Sequence, residues 1–204
     1  MTIAQADQWF DNPLTGQRTR VITFPHENGG RRFALEYVFR PRSGRNALPR
    51  HVHPTSTETF EIVSGRAAYE VGGSAATAMA GETIVMPANV AHSHPWSDSD
   101  EPLHVRHVND ADPADERSMT AAVQAVVTIL GLANAGRVNS RGAPGWLQLI
   151  VLANATIPGT YLADIPRPIQ GAAFGLLSFV GRAAGLRTAY PAYGVVTANG
   201  IHFG

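Results

Sequence analysis

The chain has 204 residues, of which 44% are hydrophobic, and its formal net charge is zero. These values predict one large domain, or one domain of ordinary size with an appendage, and argue against a disordered chain. No basic tract is present, so nucleic acid is not expected as a partner. The absence of cysteine excludes disulfides and thiolate chemistry. The first residues lack the apolar run of a secretory signal, so we expect a cytoplasmic protein.

The first half of the chain is rich in short strand patterns. Residues 1–17 predict an irregular lead-in with turns, residues 27–30 (ENGG) predict a hairpin turn, and residues 41–50 predict a polar loop. Apolar alternation predicts strands at 18–24, 33–40, 67–71, 75–80, 83–87 and 102–109. Many short strands with turns between them are typical of a β-sandwich or β-barrel.

The pattern changes near residue 110. Asp112 followed by Pro113 predicts a helix start, with Asp112 as the N-cap and Pro113 in the first turn. Apolar residues at helical spacing then predict helices within 118–136, 145–155 and 166–186, whereas 188–204 has no clear pattern. We therefore predict a mainly β protein with a barrel at 1–110, its core at 18–109, and a helical C-terminal extension at 111–204. We expect this extension to pack on the barrel or at a dimer interface.

One stretch of the extension also suggests a membrane segment. Residues 142–163 carry no charge and approach the length of a bilayer span. Pro144, Pro158, Gln148 and Asn154 interrupt the apolar run. Helices that are apolar nearly all round are usually buried, so membrane contact is the less favoured alternative.

The main chemical signal lies at residues 51–65, HVHPTSTETFEIVSG. His51 and His53 are two residues apart, so on a strand their side chains point to the same side. Glu58 follows at an odd spacing, and it reaches that side only if the strand is broken at 54–57, where proline and hydroxyl residues favour a break. His92 is a fourth candidate. Imidazole and carboxylate groups suit a first-row transition metal, and four ligands leave a coordination position open.

The spacing of these residues resembles the two sequence motifs of the cupin family. The first motif, G-x5/6-HxH-x3/4-E-x6-G, is matched by Gly44, His51, His53, Glu58 and Gly65. The second motif, G-x5-PxG-x2-H-x3-N, is matched at Gly81, Pro87 and His92. It departs from the pattern at Asn89, where glycine is usual, and at Trp96, where asparagine is usual. Asn tolerates positive φ, so we expect Asn89 to preserve the turn.

The resemblance covers residues 12–109 and implies a jelly-roll barrel, or double-stranded β-helix, similar to bacterial monocupins. It further implies that His51, His53, Glu58 and His92 bind one divalent metal, of which iron, manganese, nickel, copper and zinc are candidates. Such barrels are compared with quercetin dioxygenases. The resemblance therefore favours a dioxygenase-type oxidoreductase acting on a phenolic, enol or diketone molecule, with Glu58 as a catalytic base.

Two other functions stay open at this point. One is a non-enzymatic barrel that binds or senses a small molecule, and the other is a zinc-dependent isomerase or cyclase. In each case we expect a small-molecule ligand and a homodimer. Residues predicted to line the pocket are His94, which shares the parity of His92, and Tyr37, Phe60 and Met86, for which plain barrel core is the alternative. His104 and His107 differ in parity, so only one faces inward, and we assign His104 to the pocket.

Overall fold

The computed structural model describes residues 2–4, 8–45 and 48–204. The expected lead-in at 1–17 and the expected loop at 41–50 therefore lie partly outside the described residues. Within these ranges the three α-helices are α1 (Glu116–Asn134), α2 (Trp146–Thr156) and α3 (Arg167–Ala183). The strands are β1 (Thr2–Ala4), β2 (Phe10–Asn12), β3 (Gln17–Thr23), β4 (Arg32–Phe39), β5 (His51–Val52), β6 (Ser56–Ser64), β7 (Arg66–Val71), β8 (Ser74–Met79), β9 (Thr83–Met86), β10 (His92–Ser97), β11 (Leu103–Ala111), β12 (Tyr161–Leu162), β13 (Val195–Thr197) and β14 (Gly200–Phe203).

Two antiparallel sheets form the body of the protein. The six-stranded sheet has the order β2-β3-β4-β11-β6-β9, and the five-stranded sheet has the order β12-β5-β10-β7-β8. Their inward side chains share one core, to which the first sheet contributes Phe60, Ile62 and Val105 and the second contributes Ala67 and Ala78. This arrangement confirms the predicted mainly β fold with C-terminal helices.

Strand β6 illustrates how alternation sets the core. Ser56, Glu58, Phe60 and Ile62 are buried, whereas the residues between them are more exposed. Successive side chains of a strand point to opposite faces, so one face of β6 forms the interior and the other meets solvent. Glu58 therefore lies on the same face as Phe60 and Ile62, as its parity predicts.

The predicted break before Glu58 is a change of sheet. Strand β5 ends at Val52 and β6 begins at Ser56. Strand β5 pairs within the five-stranded sheet and β6 within the six-stranded sheet. The chain thus crosses the barrel between His53 and Ser56, which brings Glu58 to face the two histidines from the opposite sheet.

The connection between β3 and β4 differs from the predicted hairpin turn. A 3-10 helix at Pro25–Asn28 precedes Gly29 and Gly30, which both have positive φ. A Cβ atom on Gly30 would collide with the backbone of Glu116 at the start of α1. Glycine is therefore required where this turn passes beneath the helix.

Helix α1 begins three residues later than the sequence predicts. Its N-cap is Asp115, whose carboxylate accepts a hydrogen bond from the backbone N–H of Ser118 at 3.0 Å. Asp112 does not cap the helix, because its backbone N–H still donates to Thr55 in the barrel. Pro113 consequently lies outside the helix. The backbone N–H groups of Asp112 and Asp115 donate hydrogen bonds to the barrel, and the helix begins only after them.

The Asp115→Ala variant is expected to lower the free energy of unfolding by about 1 kcal/mol, because the first turn of α1 loses its side-chain acceptor. Asp112→Ala is the matched control and should change it by less than about 0.5 kcal/mol. The hydrogen bonds from Ser118 lower the pKa of Asp115 in the folded protein. The stabilisation is therefore complete above the unfolded-state pKa of about 4 and is lost as pH falls through the folded value. Urea denaturation at several pH values measures both effects, and equal stability of the two variants at neutral pH would contradict the assignment.

The C-terminal extension also contains strands that the sequence does not reveal. Strand β12 joins the five-stranded sheet, and β13 and β14 form a separate sheet with β1. Buried Gln124 of α1 holds the segment that leads into β13, since its amide donates to Gly194 O and accepts from Val196 N. The extension is therefore partly helical and partly an addition to the barrel.

Helix α3 turns an apolar face to solvent. Ile169, Leu176, Phe179 and Val180 are exposed, and no charged residue occurs between Arg167 and Arg182. Contiguous apolar surface commonly marks contact with another molecule. The homodimer expected from the sequence stays a prediction.

The uncharged stretch at 142–163 contains no helix long enough to cross a bilayer. Helix α2, which occupies half of it, has 11 residues and is about 16 Å long, whereas the apolar core of a bilayer is about 30 Å thick. Across the described part of the chain, no helix combines the length and apolarity that crossing a bilayer requires.

Candidate metal centre

Five side chains from three strands converge inside the barrel. His51 lies on β5 and His53 directly after it, Glu58 lies on β6, and His92 and His94 lie on β10. One potential ligand atom from each lies within 4.8 Å of all the others. Strands β5 and β10 are paired with His51 opposite His92, which places these two imidazoles side by side. The sequence-predicted set is thus brought together, and His94 joins it.

The surrounding backbone fixes which nitrogen of each imidazole carries the proton. The Nδ1 atoms of His51, His53 and His92 lie 2.8, 3.0 and 2.9 Å from the carbonyl oxygens of Pro49, Gly159 and Val90. A carbonyl oxygen only accepts, so each Nδ1–H is the donor. In the neutral form of each ring, Nε2 is therefore unprotonated and directed toward the cluster, which is the arrangement of a metal-ligating histidine.

The Nε2 atoms of His53 and His92 provide the test of whether these residues fit a metal. Both atoms are buried and make no hydrogen bond within the described residues. They nevertheless lie 3.4 and 2.9 Å from the Glu58 carboxylate. Lone pairs that face a carboxylate repel it in a buried site unless a cation lies between them. The residues therefore fit a divalent transition metal, for which imidazole and carboxylate are suitable ligands.

Glu58 is held in place by side chains from the neighbouring strands. Its Oε1 accepts a hydrogen bond from Asn109 Nδ2 at 3.1 Å and lies 2.9 Å from His107 Nε2. Its Oε2 lies 3.0 Å from His94 Nε2. Burial alone would raise the pKa of Glu58, but electrostatic interaction with the surrounding imidazoles of His94, His53 and His107 lowers it well below its usual value. The carboxylate is therefore ionised and available as a ligand at neutral pH.

The pKa values of His51 and His94 favour ligand-competent rings. Burial lowers the pKa of His94 to about 4, and burial together with repulsion from His94 lowers the pKa of His51 well below its usual value. For His53 burial also opposes protonation, but the Glu58 charge and the Gly159 carbonyl outweigh it, and the pKa is raised. His51 and His94 are thus neutral at physiological pH, as metal binding requires.

The predicted pocket residues divide into two groups. Tyr37, Phe60 and Met86 are buried, and the Phe60 ring centroid lies 5.0 Å from that of His94. His104 lies on the outer face of β11, where its Nε2 pairs with Glu36 at 2.6 Å. Its assignment to the pocket is therefore corrected.

His107 and Asn109 are the inward residues of β11 that the sequence interpretation missed. Both are buried, and the His107 ring stacks on Phe60 with the centroids 4.4 Å apart. A signal was available in the sequence, because both share the parity of the apolar residues Leu103 and Val105. His104 instead shares the parity of Arg106, which indicates an outward face.

The two departures from the second motif have structural explanations. Asn89 adopts φ of +65°, which Asn tolerates better than most residues, so the turn is preserved. Its backbone N–H donates to His53 O at 2.7 Å, which anchors the end of the ligand-bearing segment. Trp96 lies under the guanidinium of Arg45, whose Cζ is 5.5 Å from the ring centroid. It does not belong to the converging cluster.

Fold and site together define a jelly-roll barrel with an internal cluster of histidines and one carboxylate. Residues 38–109 match the family model described as "Cupin domain", so this part of the chain is similar to cupins. The match includes both motifs, from Gly44 to Trp96, and strand β11. No curated protein matches the sequence.

Solved structures with a similar fold include proteins with different descriptions. One, described as a predicted oxalate decarboxylase from Thermotoga maritima, is 15% identical with a TM-score of 0.44, over 54% of this chain and 99% of that chain. A conserved double-stranded β-helix protein from Klebsiella pneumoniae is 20% identical with a TM-score of 0.42, over 56% and 94%. A sugar phosphate isomerase from Silicibacter pomeroyi is 16% identical with a TM-score of 0.39, over 47% and 59%.

Proposed function

We propose that the protein is a metal-dependent enzyme of dioxygenase type that acts on a phenolic, enol or diketone small molecule. The supporting observation is the convergence of three imidazole Nε2 atoms on the Glu58 carboxylate. In this proposal His51, His53, Glu58 and His92 hold one divalent metal. His94 is a fifth candidate ligand. The bound metal would supply Lewis acidity and, if redox-active, the activation of oxygen.

Glu58 also provides an acceptor for a substrate proton. A substrate hydroxyl group that reaches Glu58 Oε2 can give up its proton there, since a buried carboxylate near its substrate is a competent base. His94 Nε2 lies 3.0 Å from the same oxygen. Because an ionised carboxylate only accepts, His94 Nε2–H is the donor, and in this proposal it orients Oε2.

The wall of the site suits a planar, partly apolar molecule. Phe60 and Met86 are buried apolar neighbours of the cluster, with Phe60 beside the His94 ring and Met86 paired with Glu58 across the strands. The buried hydroxyl of Tyr37 makes no hydrogen bond within the described residues, and burial, together with the charge of Glu58, raises its pKa well above its usual value. A protonated phenol near the carboxylate can donate a hydrogen bond to a substrate oxygen. This combination supports a phenolic or enol ligand.

A binding or sensing protein is the second candidate function. It is favoured by the burial of the cluster, since His51, His53, Glu58 and His92 are each 6% exposed or less. A metal held so deep can serve to fix one ligand tightly without turnover. A zinc-dependent isomerase or cyclase would use the same residues without oxygen.

Oxygen uptake by the purified protein separates these functions. The protein is loaded in turn with iron, manganese, nickel, copper and zinc and mixed with a panel of phenols, enols and diketones. We expect substrate-dependent oxygen consumption with at least one redox-active metal. In Tyr37→Phe this consumption should be lost or greatly reduced. Product formation without oxygen uptake would favour the isomerase. Ligand binding without turnover for every metal would favour the sensor. His104→Ala, on the outer face, is the control.

A further inference from the structure

The connection between α2 and α3 lies against the metal centre. It contains β12, which pairs antiparallel with β5 so that Tyr161 lies opposite Val52 and Leu162 opposite His51. The backbone N–H of Ala163 extends this pairing by donating to Arg50 O at 2.9 Å. A segment of the C-terminal extension is therefore the outermost strand beside the first two candidate ligands.

His53 depends on this segment for its orientation. Its Nδ1–H donates to Gly159 O at 3.0 Å, and Thr160 Oγ1 lies 3.1 Å from the same nitrogen. His51 and His92 instead donate to Pro49 and Val90, each two residues earlier in the chain. Two ligands are thus oriented locally, whereas the third is oriented by a segment 106 residues away.

Residues 159–162 are themselves held by a buried glutamine of α3. The Gln170 amide accepts a hydrogen bond from Leu162 N at 2.9 Å and donates to Leu162 O at 2.8 Å and to Ile165 O. The side chain of Gln170 is almost completely buried. A buried amide with every bond satisfied fixes the position of the backbone it contacts.

Close packing against α1 and β5 further restrains the segment 159–162. A Cβ atom on Gly159 would lie 2.6 Å from the Cβ of Ser118 on α1. Asp164 pairs with Arg50 at 3.2 Å, next to the strand that carries His51. The Gly159 carbonyl is therefore fixed between α1, β5 and α3, and its direction is not free to vary.

We propose that residues 159–162 are a positioning element of the metal centre. The Gly159 carbonyl and Thr160 hydroxyl hold His53 as the Nδ1–H tautomer with Nε2 toward Glu58, and Gln170 holds residues 159–162 in place. The inference rests on the proposed metal site and assigns the C-terminal extension a role in it. Loss of a group that orients a metal-bound histidine typically weakens metal binding by roughly 10–100-fold.

The double variant Ala163→Pro/Gln170→Leu tests this without changing a ligand. Proline removes the N–H that bonds to Arg50, and leucine has nearly the size of glutamine but no amide. Nitrogen NMR of the imidazole rings in metal-free protein, at mildly alkaline pH, reports the tautomers. We expect His53 to change from the Nδ1–H form to a mixture while His51 and His92 keep it. Zinc titration should show binding weaker by roughly 10–100-fold.

Gln124→Leu is the matched control. It is the same substitution at another buried glutamine of the extension, and it removes hydrogen bonds to Thr128, Gly194 and Val196. Both readouts should stay at their wild-type values. The proposal is overturned if the double variant keeps the wild-type His53 tautomer, or binds zinc within about twofold of wild type. If the wild-type protein binds no metal, the proposed function fails, whereas the tautomer still decides whether residues 159–162 position His53.

Discussion

His51→Ala and His92→Ala are each expected to bind metal at least roughly 100-fold more weakly than the wild-type chain. The loss of a residue that only orients a ligand already costs roughly 10–100-fold, and these variants remove a ligand itself. Each Nε2 faces Glu58 from the same pair of strands, so each variant removes one of the nitrogen atoms that converge on the carboxylate. Elemental analysis after dialysis, together with metal titration, measures the effect.

His104→Ala is the control for both variants. It is a histidine of the same barrel, but it lies on the outer face and pairs with Glu36. Its metal content should equal that of the wild type. Unchanged metal content in His51→Ala and His92→Ala would refute the metal centre, and loss of metal in all three variants would indicate a general loss of folding instead.

Phe60→Ala is expected to lower the free energy of unfolding by roughly 3–5 kcal/mol. Phe60 is completely buried, and its ring contacts both His107 and His94. The cavity left behind is lined by groups that cannot collapse without moving the metal centre. The expected fall in melting temperature is roughly 6–20 °C for a chain of this size. Thermal and urea denaturation of metal-free protein give the two values.

Val63→Ala is the matched control on the same strand. Val63 is partly exposed on the outward face of β6, so the same kind of truncation there should cost less than about 1 kcal/mol. If the two variants are equally stable, Phe60 does not form part of the shared core. A large loss at Val63 would instead indicate that another molecule covers the outer face.

Local patterns were sufficient to predict the barrel and most of its metal centre. The alternation on β4 and β6 fixes which side chains point inward, because strand geometry has a period of two residues. The odd spacing between His53 and Glu58 predicts a break, and the structure has a change of sheet there. The positive φ of Asn89 follows from its place in the second motif.

Local sequence patterns were not sufficient to assign the inward histidine of β11 or the start of α1. Choosing between His104 and His107 required knowing which alternate residues of β11 point inward. Leu103 and Val105 indicate this only weakly. The helix start moved from Asp112 to Asp115 because hydrogen bonds to the barrel hold residues 112–115, as with Asp112 N to Thr55 O. These outcomes depend on contacts between elements and not on local preference.

The sequence by itself determined the strand pattern, the change of direction before Glu58 and the ligand types at His51, His53, Glu58 and His92. Only the tertiary structure decided that the Gly159 carbonyl accepts a hydrogen bond from His53 and that β12 pairs with β5. The physical reason is that the orienting group is a backbone carbonyl. Every residue has a backbone carbonyl, so no residue type in the sequence identifies the one that accepts from His53. Only the packing of the extension against the barrel determines which carbonyl contacts the imidazole.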